Sequence, residues 1–159
     1  MESVSNTTVL ILLSKVHRFD LLQNMFTNIF IPSAVEKEFI AGGSLYPSSI
    51  LHFQKYSKTL YTTENPKIEK SFPLGLGESS AISLALEKKI VFLSDDKRAR
   101  TIAQVLGVAV LGTPGIILWN VQHKYLTPLQ AKDIIHQLLK HKYYISTELY
   151  AQIMNLLEK

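Results

Sequence analysis

The stretch IVFLSDDKRARTIAQVLGVAVLGT, residues 90–113, decides how this chain is read. A β-branched and aromatic run, IVFLS, stops at two adjacent carboxylates, Asp95 and Asp96. Such a run, followed by turn-like residues, reads as a buried strand. DKRARTIAQVLG reads as a helix ended by Gly107, and VAVLG as a second buried strand. The sequence thus asks why a buried strand should end in two like charges that repel each other.

Outward from there the same alternation continues. SVS opens a short strand, and NTTVLILLSKV follows with Val9, Leu10, Leu13 and Val16 on one helical face. Asn6 or Thr7 can cap its first turn. RFDLLQNMF predicts a second short helix, and NIFI a strand that stops at Pro32. Pro32 is then expected to open the helix PSAVEKEFIA, with Gly42–Gly43 at its end. Residues 44–73 are the least readable, with a helix expected around SSILHFQKYSK and a loop or short strand near Pro66. GLGESSAISLALEKK predicts an amphipathic helix with Ala81, Ile82, Ala85 and Leu86 on one face. The C-terminal third reads as three helices, begun by Thr113–Pro114, Thr127–Pro128 and Ser146. Short buried strands alternating with helices imply an α/β class with a parallel sheet covered on both faces. One domain over residues 1–159 is expected, with residues from about 125 to 159 as a helical extension packed on it.

Composition sets further bounds. With 159 residues, 47% apolar and 19% charged, the chain is globular. It has no cysteine, which excludes disulfides and thiolate metal sites. The apolar run VLILL is too short to span a membrane and lacks the flanks of a signal peptide, so a cytoplasmic location is expected. The net charge of +4 leans towards a polyanionic partner, although surplus surface lysine gives the same total. The five histidines show no zinc spacing, and Gly75-x-Gly77 is not a dinucleotide fingerprint. A phosphate site at Ser94 or Thr113 in an unrelated α/β protein would want a glycine-rich loop, which is absent.

In a parallel α/β sheet, ligands bind outside the carboxyl ends of the strands. Asn6, then Asp95 and Asp96, then Gly112 and Thr113 fall at those ends. Glu38 and Glu78 can join them from helices. Clustered like charges are unfavourable unless something positive lies between them. Mg²⁺ or Mn²⁺, which take oxygen ligands, would answer the opening question. Each acid also has a local reading. Asp95 or Asp96 can cap the helix starting at Lys97, Glu78 can favour its helix N-terminus, and Glu38 can sit on a solvated face.

SVSNTTVLILLSKVHRFDLL, IPSAVEKEF, GLGESSAISLALE, FLSDDKRAR and LGVAVLGTPGIIL occur in that order, and together they resemble the PIN-domain family, in particular its VapC-like branch. The resemblance runs from about Ser3 to the C-terminus. It implies a three-layer α/β/α fold with a central parallel sheet and extra C-terminal helices. It also implies a Mg²⁺- or Mn²⁺-dependent ribonuclease acting on RNA, of the kind found as toxins in type II toxin–antitoxin pairs. Asn6, Glu38 and Glu78 take the first three acidic places of the family's site, and Asp95 and Asp96 compete for the fourth. Glu78 with Asp95 or Asp96 would bind metal. Glu38 would act through a water or help deprotonate the nucleophile, and Thr7 and Ser94 would hydrogen-bond the ligands. Lys97, Arg98 and Arg100 are candidates to hold RNA phosphates, or, for Arg98, to pair with the acids.

Asn6 departs from the pattern, because a typical member has Asp there. A neutral carbonyl oxygen replaces a charged ligand, which lowers the expected metal affinity. The alternative is therefore a catalytically weakened PIN-like module that binds RNA or protein. QHKYLTPLQAKDIIHQLLKHKYY combines Lys, His and Tyr, which suits a single-stranded RNA path, although packed tyrosines and solvated lysines are the more common reason for such a run. A cognate antitoxin and a homodimer are the partners the resemblance implies, with no membrane.

Overall fold

The computed structural model describes residues 1–43, 60–64 and 73–159. The helix expected around SSILHFQKYSK, and Pro66, lie outside the described residues. Five strands form one sheet: β1 (Glu2–Ser5), β2 (Asn28–Pro32), β3 (Leu60–Thr63), β4 (Val91–Leu93) and β5 (Val110–Leu111), in the order β3-β2-β1-β4-β5. Every pairing is parallel, with Val4 opposite Phe30 on one side and opposite Phe92 on the other. The order reverses at β1, so β1 and β4 are neighbours at the place where an open α/β sheet presents its ligand crevice.

Eight helices are described: α1 (Thr7–Lys15), α2 (Asp20–Met25), α3 (Ser33–Gly43), α4 (Leu76–Lys88), α5 (Lys97–Val105), α6 (Thr113–Gln122), α7 (Pro128–Lys140) and α8 (Thr147–Glu158). They flank the sheet on both faces, which the strands record directly. Ser3, Val4 and Ser5 are all fully buried, as are Phe92 and Leu93. Consecutive residues of a strand point to opposite faces, so both faces are covered. One hydrophobic cluster runs from Val4 to Leu157 and takes in the C-terminal helices. In it the rings of Phe19 and Phe39 meet edge-on at 6.5 Å. No helix among the described residues is long and apolar enough to cross a membrane.

Local chemistry sets most boundaries. Val9, Leu10, Leu13 and Val16 form the buried face of α1. Helix α5 ends in a Schellman turn: the Val108 N–H donates to the Ala103 carbonyl and the Gly107 N–H to that of Gln104. Gly107 takes φ +81, a conformation cheap only for glycine. Thr127 and Gln130 form a reciprocal capping box at α7.

Three expectations need correction. Pro32 is the last residue of β2, and α3 begins at Ser33. Pro32 pairs with Thr63 at the sheet's end, so extended pairing decides its place. Leu86 is 38% exposed, while Leu84 takes the inner position on α4. Thr113 is the first residue of α6 and Gly112 is its cap, because the Thr113 hydroxyl is engaged elsewhere.

Candidate functional site

The carboxyl ends of β1, β4 and β5 bring together a hydrogen-bonded knot of side chains. The Asn6 N–H donates to the Leu93 carbonyl, which ties the end of β1 to β4. The Asn6 side chain is 1% exposed. Its Oδ1 accepts from the Thr8 N–H at 3.1 Å and the Thr8 hydroxyl at 2.7 Å, which caps α1. Its Nδ2 donates to Ser94 Oγ at 2.8 Å. Ser94 Oγ also accepts from the Asp96 N–H at 3.1 Å, and Thr8 Oγ1 from the Asp95 N–H at 3.0 Å. The turn after β4 is therefore fixed from both sides by α1.

Asp95 and Asp96 take different parts. Asp96 Oδ1 accepts from the Ala99 N–H at 2.7 Å and caps α5. Asp95 turns inwards. Its Oδ1 accepts from the Thr113 N–H at 2.9 Å and the Tyr143 hydroxyl at 3.2 Å, and its Oδ2 from the Thr113 hydroxyl at 2.5 Å. Burial raises its pKa above the ordinary carboxylate range, against the pull of the Thr113 and Tyr143 bonds and the Arg100 charge. Burial and the Asp95 charge in turn push the Tyr143 phenol up. Gly112 leaves room for this arrangement: a Cβ there would lie 2.5 Å from Arg100 Nη1 and 2.9 Å from Asp95 Oδ1.

A second, wetter group lies beside the knot. Glu78, Asp96 and Arg98 line an open cavity of about 500 Å³ with Pro73, Leu74 and Gly75. Glu78 Oε2 accepts from the Gly75 N–H at 3.2 Å, across the first turn of α4. Burial raises the Glu78 pKa; the Gly75 N–H lowers it, the charges of Asp96 and Glu38 raise it further, and Arg98 lowers it. Glu38 accepts from the Thr7 hydroxyl at 2.8 Å and from the Gly77 N–H at 3.2 Å. A Cβ on Gly77 would meet both Glu38 oxygens at 2.6 Å, so glycine alone lets the carboxylate seat there.

Glu78, Asp96 and Arg98 are thus brought together at the cavity, and Glu38 lies beside it, near enough for its charge to act on Glu78. Asn6, Ser94 and Asp95 are held behind them in the knot, with Arg100 on the Asp95 side. Thr7 bonds Glu38, and Ser94 bonds the turn. Lys97 faces a neighbouring groove. The sequence offered no sign of Thr8 as a bridge or of Tyr143, which lies 48 residues from Asp95. Thr113 was visible as a Thr-Pro helix start, but its bond to Asp95 was not.

The cavity suits a divalent cation. Mg²⁺ is commonly held by one or two carboxylates with waters and substrate phosphates, not by an all-protein cage. Glu78 and Asp96 supply two hard oxygen donors on one wall, and the raised Glu78 pKa marks a charge short of compensation. Among the described residues, no three His, Cys, Asp or Glu side chains are grouped so that they could hold a metal ion.

A parallel α/β fold with acids at the ends of its central strands defines the class. A family model, DUF3368, described as a PIN domain, matches residues 2–159, and the chain belongs to this PIN-domain family. The PIN domain is a nuclease-type fold. Among solved structures, the chain is similar to a PilT N-terminus domain protein from the hyperthermophilic archaeon Sulfolobus solfataricus P2, at 16% identity and TM-score 0.49, with 92% of this chain and 100% of that one covered. No curated protein matches the chain.

Proposed function

We propose that this chain is a Mg²⁺- or Mn²⁺-dependent endoribonuclease. The observation that carries the reading is the placement of Glu78 and Asp96 on one cavity wall, with the Glu38 charge close enough to press on Glu78. Glu78 and Asp96 would hold the cation, which when bound supplies Lewis acidity and lowers the pKa of its water. Glu38, aimed by Thr7 and Gly77, takes up the proton of the attacking water. Arg98 steadies the phosphoryl oxygens as charge builds on them. Asn6, Ser94 and Asp95 act as positioning residues that fix the turn carrying Asp96.

The finer assignment is a toxin of a type II pair, cytoplasmic, homodimeric and silenced by a cognate antitoxin. It rests on the likeness to VapC-type proteins, and a short antitoxin-like reading frame beside the gene would support it. The test of the activity is cleavage of a mixed RNA pool with and without Mn²⁺, beside Glu78→Gln. Metal-dependent cutting that the variant loses upholds the nuclease.

One observation favours a second reading, a PIN-like module without catalysis. Both polar ends of the Asn6 carboxamide are engaged by protein groups and the residue is buried, so it offers a cation nothing. If the folded wild type cuts no RNA while Asn6→Asp gains Mn²⁺-dependent cutting, the second reading holds.

A further inference from the structure

A groove of about 470 Å³ runs from the far side of Asp96, between α1 and the turn that joins α7 to α8. Asp96 lines both this groove and the Glu78 cavity. A polymer lying across the cavity at Asp96 therefore continues into the groove. Lys15, Lys97, Lys142 and His141 stand along it, against the carboxylates of Asp95 and Asp96. Three lysines thus face two carboxylates, so the groove is basic by a single charge with His141 neutral. Its floor includes Ile11 and Leu12.

The turn is rigid where it matters. The Tyr143 N–H donates to the Leu138 carbonyl, and the Tyr143 hydroxyl to Asp95. Lys142, at φ +61, donates its N–H to the Leu139 carbonyl. The two residues that flank the Tyr143 anchor are thereby held out: Lys142 is exposed, and Tyr144 is 86% exposed. An exposed phenol beside an exposed lysine, in a groove that shares Asp96 with the candidate site, suits a stacked base and its phosphate.

The geometry points to this groove as the track for the unpaired RNA strand on one side of the cleaved phosphate, with Tyr144 stacking a base and Lys142 and Lys97 holding phosphates. The inference rests on the nuclease reading for its substrate, but binding tests it separately. A labelled single-stranded oligouridine is titrated by fluorescence anisotropy in EDTA, with a duplex of equal length as competitor. Tyr144→Ala is expected to weaken binding by about 5-fold or more, since stacking contributes about 1–3 kcal/mol per base. Lys142→Gln should flatten the log–log salt slope by roughly 0.7. Both residues are exposed, so both variants keep the fold, which circular dichroism checks.

If both variants bind with wild-type affinity and slope, or if the duplex competes as well as the single strand, the track is overturned. Failure of the nuclease reading looks different. Oligouridine binding that depends on Tyr144 and Lys142, without cleavage of any RNA, upholds the track and removes the nuclease. Cleavage with indifferent variants does the reverse.

Discussion

The knot around Asp95 and the rim around Glu78 are neighbours built from the same kinds of side chain, yet they answer burial differently. In the knot every charge and amide has its donors chosen by the chain: Asp95 accepts three hydrogen bonds, and Asn6 replaces a charge by a neutral amide. In the rim, Glu78 lies within reach of the charges of Asp96 and Glu38, with Arg98 as the counter-charge. A satisfied polar network rigidifies, whereas like charges left facing each other favour a cation or a proton. On the proposed function, structure is stored in the first region and chemistry in the second.

Substitutions in each region break this contrast if it is wrong. The largest effect is expected in the rim: Glu78→Gln should lower Mn²⁺-dependent cleavage by more than about 100-fold, beyond what loss of an outer partner of a metal ligand costs. Its urea midpoint without metal should not fall, because a like charge has been removed. In the knot the roles reverse. Thr113→Val keeps the shape and removes a donor from Asp95, so unfolding by urea should show a loss of about 1–3 kcal/mol. A midpoint unchanged by Thr113→Val would mean that the knot is not a stabilising network.

Gly77→Ala sits between the two. Its Cβ displaces the end of the Glu38 side chain, not backbone, so stability should change little while cleavage falls about 10-fold or more. Equal cleavage by the alanine variant would remove Glu38 from the chemistry.

The smallest effect is the pH dependence. Glu78 and Asp95 hold their protons more tightly folded than unfolded. The stability they contribute is present below their unfolded pKa values and lost as pH rises through the folded ones. As pH rises above the unfolded carboxylate range, the wild-type thermal midpoint should therefore drop more than that of Glu78→Gln. Mn²⁺ should restore it at neutral pH in the wild type alone.

Four of the five described strands and most helices could be read in advance because their signals are local, while β3 fell in the stretch that could not be read. Helix α1 has its face at Val9, Leu10 and Leu13, and α7 its capping box at Thr127 and Gln130. Pro32 misled because a proline at a strand's end and one at a helix's start look alike until the partner strand is known. The acids of the candidate site could be picked out in the sequence, Asp95 and Asp96 at a strand end, Glu78 in the first turn of its helix and Glu38 further along its own. Their division of labour could not. Asp95 and Asp96 are adjacent, and only the position of Thr113 and Tyr143 in space decides which turns inwards. Gly77 carried no signal as the seat of Glu38, since its Cβ is excluded by a residue 39 positions away.

The Tyr143 bond to Asp95 also has a temporal side. Synthesis delivers the N-terminal end first, so all five strands have been made before Tyr143 joins the chain. Until then Asp95 has only Thr113 to hold it. The turn between α7 and α8 is thus a late-arriving keystone: the last hydrogen bond of the strand end closes only after every described strand has been made.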